Sequence, residues 1–203
     1  MPHPSFAIRP YLPTDSEGWL RCRVLSFLHT QYYDDVKPSR SVLAEPAIAL
    51  VATAAVDHIG QHNDLDRDTV IGILDIEIDG DAAATIDTIA IHPDHQTKGI
   101  GTALLQQALP LLTDRGVATL DAWTREDGPA NSWYLKNGFT ENFRYLHVYL
   151  GDGDDPTGFV TPEGCSLPVT AFVHAPIDRE AEVRERFRRV YVCRQYLQKV
   201  ILR

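Results

Sequence analysis

The chemical signal of this chain is concentrated in one short stretch, Gln96-Thr97-Lys98-Gly99-Ile100-Gly101-Thr102. Gly99 and Gly101 let the backbone approach a ligand with no Cβ in the way. At the start of a helix the first amides have no intrahelical acceptor, so they point outward together and can hold an anion. Lys98 can add charge, and the side chains of Gln96 and Thr102 can add hydrogen bonds. The chemistry suited to this pattern is a cradle for a pyrophosphate. It is not a P-loop, because no Gly-Lys-Ser/Thr follows at the required spacing. Nor is it a GxGxxG fingerprint, since Ala103 and Leu104 stand where the later glycine is needed.

Such a cradle requires a strand leading into it and a helix leaving it, and the flanking sequence supplies both. Residues 6–9 read as a first strand ended by Pro10 and Pro13, and Asp15 or Ser16 caps a helix through Trp19, Leu20, Val24 and Leu25. The mixed signals of 32–46 predict a second short helix and a loop. Three apolar, β-branched runs at 48–53, 69–78 and 83–91 read as consecutive antiparallel strands. The polar segment 57–68 joins the first pair, and Asp79-Gly80-Asp81 makes a hairpin turn between the second pair. After His92-Pro93 the period becomes helical at Leu104, Leu105, Ala108, Leu111 and Leu112, with Gly116 as the stop and a kink expected at Pro110. A strand at 117–123 then implies a right-handed parallel crossover. Beyond it come a short helix at 129–136, a strand at 139–150, a loop at 151–158 and a strand at 169–173. A charged helix capped by Asp178 at 178–189 and a long final strand at 190–202 complete the reading.

A length of 203 residues suits one domain with an embellishment, so 1–203 reads as a single domain. The net charge of -9 argues against nucleic acid or an anionic membrane as partner and fits a cationic acceptor. No run approaches the roughly 20 apolar residues that cross a bilayer, and the first residues do not read as a signal peptide. Cys22, Cys165 and Cys193 are scattered, which points to a reduced, cytoplasmic setting. Asp152, Asp154 and Asp155 read as a solvated turn, because Pro156 breaks the calcium-loop pattern and no glutamate closes it. His92 and His95 lack metal-ligand partners at suitable spacing, so no metal is expected.

The segment Gln96–Gly101 resembles the (Q/R)xxGx(G/A) signature of the GNAT N-acetyltransferase superfamily. The preceding IAIHPDH looks like that family's approach to the loop, and ANSWYLKNGF is similar to its second signature at the spacing the family shows. The resemblance covers roughly 71–149, is weaker over 6–71 and is slight over 151–189. It implies an α+β (three-layer α/β) fold with a mixed, mostly antiparallel central sheet and helices on both faces. A long insertion would then lie at 151–189, between the last two strands. It further implies an enzyme that moves an acetyl group from acetyl-CoA, as co-substrate, to a primary amine by direct attack in a ternary complex. On that resemblance Ile89, Ala90 and Ile91 line the pantetheine arm, while Gln96, Thr97, Lys98, Gly99, Ile100, Gly101 and Thr102 hold the pyrophosphate. Tyr134 falls where the family places an acid for the departing thiolate, and a phenol with a pKa of about 10 suits that task. Asp87 falls where many members carry an acidic residue, with Asp75, Glu77 and a water relay as rivals for the base. Regular alternation places Asp87 on the face of Ile89 and Ile91.

The chain departs from the family pattern at Asp127, where many members have a cofactor-contacting asparagine, and Asn131 is the expected substitute. Trp123 stands where some members carry a glutamate base. The insertion is expected to cover the acceptor site or to form a homodimer contact. Tyr32, Tyr33, Asp34 and Asp35 are candidates to recognise a cationic acceptor, which is a small-molecule or peptide amine. Two other readings stay open: a coenzyme A-binding sensor or assembly module without turnover, and an acyltransferase with another donor.

Overall fold

The computed structural model describes residues 6–35, 37–54 and 69–200, so the expected polar connection 57–68 and residues 201 and 202 of the expected final strand lie outside it. The chain divides into two compact units, one of Met1–Ala122 with Gln198–Arg203 and one of Trp123–Leu197.

The first unit is built on β1 (Phe6–Pro10), β2 (Ala47–Ala54), β3 (Thr69–Asp79), β4 (Ala83–Ile91) and the start of β5 (Thr119–Thr124). β1 to β4 form an antiparallel ladder in chain order, and β4 pairs with β5 in parallel. The sheet is therefore mixed and mostly antiparallel, as expected. Helices α1 (Ser16–Phe27) and α2 (Ile100–Thr113) cover opposite faces of β3, and residues 70–76 are accordingly buried without interruption. Ile73 packs with Trp19 and Cys22 of α1. The adjacent Gly72 faces the other way, where a Cβ would lie 2.9 Å from Ile100 Cγ2 at the head of α2. Glycine at this position sets how closely α2 sits on the sheet.

Local details differ from the sequence reading at strand ends, where β7 spans Ala171–Ala175 and not 169–173, and at three further places. No helix forms within 28–46 among the described residues. Pro38 and Pro46 withhold amides, and Arg23 draws that segment toward α1 through the carbonyl (2.7 Å) and carboxylate (3.1 Å) of Asp35. The hairpin at 80–82 places its left-handed residue at Ala82 (φ 55°) rather than at Gly80. The charged helix is shorter than expected: α4 spans Glu180–Arg186, and Arg179 rather than Asp178 stands at its N-terminal boundary.

The second unit contains α3 (Gly128–Lys136), β6 (Thr140–Leu150), β7 (Ala171–Ala175), α4 and β8 (Arg189–Lys199). β6 lies between β7 and β8, antiparallel to both. Leu146, Val148, Leu150, Val190 and Val192 turn to one face and are closed over by Val183 and Phe187 from the α4 region. Among the described residues no helix is long and apolar enough to cross a membrane.

Candidate functional site

The glycine-bearing loop lies where the sequence places it, between β4 and α2. His92 N donates to Ile71 O at 2.9 Å, which fixes the exit of β4 to β3. A single 3-10 turn (Pro93–His95) follows. Gln96 Nε2 then reaches back to Ile91 O at 3.2 Å, and Lys98 Nζ reaches Asp94 O at 2.9 Å. Gly99 caps α2 with φ +79°, the left-handed region in which a Cβ is strained. No atom lies within 4 Å of a Cβ built there, so the glycine serves conformation and not crowding. Ile100 is 2% exposed and anchors the first turn against Gly72, whereas residues 96–99 are exposed. The amides at the head of α2 thus face outward beside the Lys98 ammonium, an arrangement that suits a phosphate.

β4 presents an open edge beside this loop. Its parallel ladder with β5 runs from Ala83↔Thr119 to Ile86↔Ala122 and ends there, while pairing with β3 continues to Ile91↔Gly72. Over 87–91 the strand therefore has backbone groups on its β5 side that this ladder does not use. Ala90 is buried against α1 and Ile91 turns toward Gly72, leaving the backbone and the half-buried Ile89 as the groups a ligand meets.

The carboxylates on this strand do not sit as alternation predicts. Asp75 pairs with Thr88 but Ile76 pairs with Ile86, so Asp87 is an extra residue in a β-bulge. The bulge reverses the alternation beyond it. Ile86 shares a face with Ile76, whereas Asp87 sits beside Thr88 and Asp75, on the face opposite Ile89 and Ile91. Thr88 Oγ1 donates to Asp87 Oδ2 at 2.8 Å, and Lys37 Nζ lies 3.6 Å from Oδ1. Asp75 is 1% exposed and accepts from Trp19 Nε1 at 2.9 Å and from Arg40 Nη2 at 2.7 Å. Burial pushes its pKa up, Arg40 and Trp19 oppose that, and the charge of Asp87 raises it further.

In the second unit Asp127 is the N-cap of α3, accepting from Ala130 N at 2.9 Å, which accounts for an acid at that position. Tyr134 is 5% exposed and stacks on Tyr196 with ring centroids 5.2 Å apart and planes 12° from parallel. Asn131 accepts from Tyr196 Oη at 2.7 Å and donates to the carbonyls of Arg125 (2.8 Å) and Asp127 (2.6 Å). Its amide is occupied in bracing the entry to α3 and the ring beneath Tyr134. Tyr196 was missed as a site residue by the sequence reading, although its place on the final strand was visible. Of the acceptor candidates, Asp35 is bound by Arg23 and Tyr32 packs on Phe27 at 5.4 Å, while Tyr33 is 50% exposed. Trp123, noted in the sequence only as standing in place of a glutamate, joins Phe143, Tyr145 and His174, which the sequence reading missed, in lining a groove of about 500 Å³.

Residues 53–141 match the family model described as an acetyltransferase (GNAT) domain. The [ribosomal protein bS18]-alanine N-acetyltransferase of Escherichia coli (strain K12) is 42% identical over 59 residues, which are 29% of this chain and 40% of that protein. The chain thus spans well under half the length of the curated relatives it matches. A nourseothricin acetyltransferase structure aligns at TM-score 0.55 and 16% identity, covering 97% of this chain and 99% of the other. The PaiA N-acetyltransferase of Thermoplasma acidophilum, solved with coenzyme A, aligns at TM-score 0.51 and 18% identity over 68% of this chain and 91% of its own. These structures share the fold.

Proposed function

We propose that this chain, which carries a GNAT domain and the GNAT fold, is an acetyl-CoA-dependent N-acetyltransferase acting on a primary amine. One observation carries the proposal: left-handed Gly99 caps α2 beside the stretch of β4 that its ladder with β5 leaves open after Ile86. Gln96, Thr97, Lys98, Gly99, Ile100, Gly101 and Thr102 hold the pyrophosphate through backbone amides and the lysine charge. The backbone of Ile89, Ala90 and Ile91 pairs with the amide groups of the pantetheine arm. An acceptor amine attacks as its neutral form: the C–N bond forms, the C–S bond breaks, and the nitrogen loses a proton. Asp87 takes that proton directly or through water, and its exposed, bulged position supports this role over the buried, doubly bonded Asp75. Tyr134 gives a proton to the departing thiolate. Asn131 contributes by holding Tyr196 beneath Tyr134, a role its three internal hydrogen bonds support.

The test is calorimetric titration of acetyl-CoA into the wild type and Gly101→Asp, which puts a side chain and a negative charge into the cradle. Micromolar binding that disappears in the variant is expected; no binding to the wild type overturns the proposal. Thiol release across a panel of amines separates turnover from a binding-only sensor. Acetyl-, propionyl- and succinyl-CoA compared in that assay define the donor.

A further inference from the structure

The sheet of the second unit has two faces of opposite character. Phe143, Tyr145, His147 and Tyr149 alternate along β6 with the buried Leu146, Val148 and Leu150, and so turn away from the aliphatic core. The register sets His147 beside His174 and Tyr149 beside Phe172 of β7, which extends the aromatic face by a second row. At one end Trp123 stands edge-on to Phe143 (6.4 Å, 75°) and to Tyr145 (5.5 Å, 69°). Tyr145 in turn meets His174 at 4.6 Å and 68°. These rings, with Ala175 and Pro176, form the groove, whose walls are 38% exposed at Trp123 and 54% exposed at Phe143.

We propose that this groove binds an alkylammonium group, and that it holds the charged nitrogen of an acceptor whose second nitrogen is acetylated. The second clause rests on the acetyl-transfer reading; the first does not. Phe143 and Tyr145 stack on each other at 6.0 Å and 26°, and Trp123 and His174 stand steeply to them, so the group presents π surface from more than one direction. That arrangement suits a compact cation, which gains from each face it meets, better than a flat ring, which needs a parallel slot. The same sheet face already takes cations at its other end, where Arg189 Cζ lies 3.9 Å and Arg125 Cζ 5.3 Å from the Tyr149 ring centroid. Arg125 Nε reaches His147 Nδ1 at 3.4 Å and His147 Nε2 meets Tyr145 Oη at 2.9 Å, which places this guanidinium behind His147 and outside the lining of the groove. His147 adds no repulsion at neutral pH, because burial and the nearby Arg125 charge hold its pKa down to about 4. The net charge of -9 favours the approach of a cation.

The chemistry of transfer selects a diamine. A cage that stabilises the charged form keeps that nitrogen protonated or requires it to be quaternary, so it has no lone pair to attack with. The nucleophile is then the other nitrogen in its neutral form, which forms the C–N bond as the C–S bond breaks; the thiolate departs, and the nitrogen's proton passes to Asp87 or water.

The experiment uses aminoethyl-trimethylammonium and its tert-butyl isostere, which keeps the primary amine and lacks the fixed quaternary charge, with the full chain. Each is first titrated without donor, then offered with acetyl-CoA while thiol release is followed. The cation is expected to bind saturably and the isostere about tenfold more weakly. Trp123→Leu and Phe143→Leu should each weaken cation binding by about tenfold and raise KM for the cationic amine by the same factor, with little change in kcat. Phe143 is exposed, so Phe143→Leu reports on the groove even where Trp123→Leu fails to fold. Equal affinity for the two probes, or wild-type affinity in Phe143→Leu, overturns the proposal. Cation binding without thiol release leaves the cage standing and sinks its assignment to the acceptor. Acetyl transfer with no preference for the cation sinks the cage and leaves the transferase reading intact.

Discussion

At the scale of single residues, the bulge at Asp87 decides what the acids of this site can do. A regular strand would have turned Asp87 to the face of Ile89 and Ile91; one extra residue in the register turns it to the side of Asp75 and Lys37. Asp75 spends its oxygens on Trp19 and Arg40, so it serves packing. If Asp87 is the base, Asp87→Asn lowers kcat/KM by about 100-fold near neutral pH, and the deficit narrows as rising pH deprotonates the amine in solution. A pH profile identical to wild type assigns deprotonation to water. Tyr134→Phe tests the acid. The phenyl ring keeps the stack on Tyr196, so acetyl-CoA affinity should stay within about twofold while kcat falls by about 100-fold. An unchanged kcat removes Tyr134 from the mechanism. Tyr134 was legible in the sequence as a signature tyrosine. Trp133 and Phe139 meet its ring edge-on from nearby in the chain, but the ring stacked on it belongs to Tyr196, 62 positions away, and local sequence carries no trace of that partner.

At the scale of elements, the cradle is only as good as the seating of α2 on the sheet. Gly72 allows that seating, because a Cβ there would meet Ile100 Cγ2 at 2.9 Å, Ile91 Cδ1 at 3.0 Å and the Ala52 Cβ at 3.2 Å. Gly72→Ala should therefore cost about 1–3 kcal/mol of stability, read from a urea midpoint, and should also weaken acetyl-CoA binding by displacing the first turn of α2. Binding that survives while stability falls would show that the cradle tolerates movement of its helix. The strands themselves were readable from β-branched runs and turn residues, since those signals are local. The missing second helix in 28–46 was not. Its signals are weak in any state, and Arg23, an α1 residue that is 2% exposed, holds Asp35 in place by bonds that no periodicity reveals.

At the scale of the whole molecule, the charge balance and the half-buried His147 set the response to acid. His147 is held to about 4 against an ordinary 6.5, chiefly by burial and then by the charges of Arg125 and His174. The fold thus favours the neutral ring. Its contribution is complete above about pH 6.5 and is lost as pH falls from there toward 4, where the unfolded chain binds the proton first. His147→Gln should flatten the fall in stability across that window; an equal slope in wild type and variant would place the acid sensitivity elsewhere. The sequence by itself determined the glycine loop and its helix, the order of the strands around it, the parallel crossover and the acidic surface. Each of these rests on spacing along the chain or on composition, which folding does not alter. Tertiary structure alone decided which way Asp87 faces, which acid is consumed by packing and what supports Tyr134. It also decided that Trp123, Phe143, Tyr145 and His174 meet in one groove. These are matters of register and of contact between residues far apart in sequence, and the free energy that fixes them exists only once the strands have paired and the helices have closed over them.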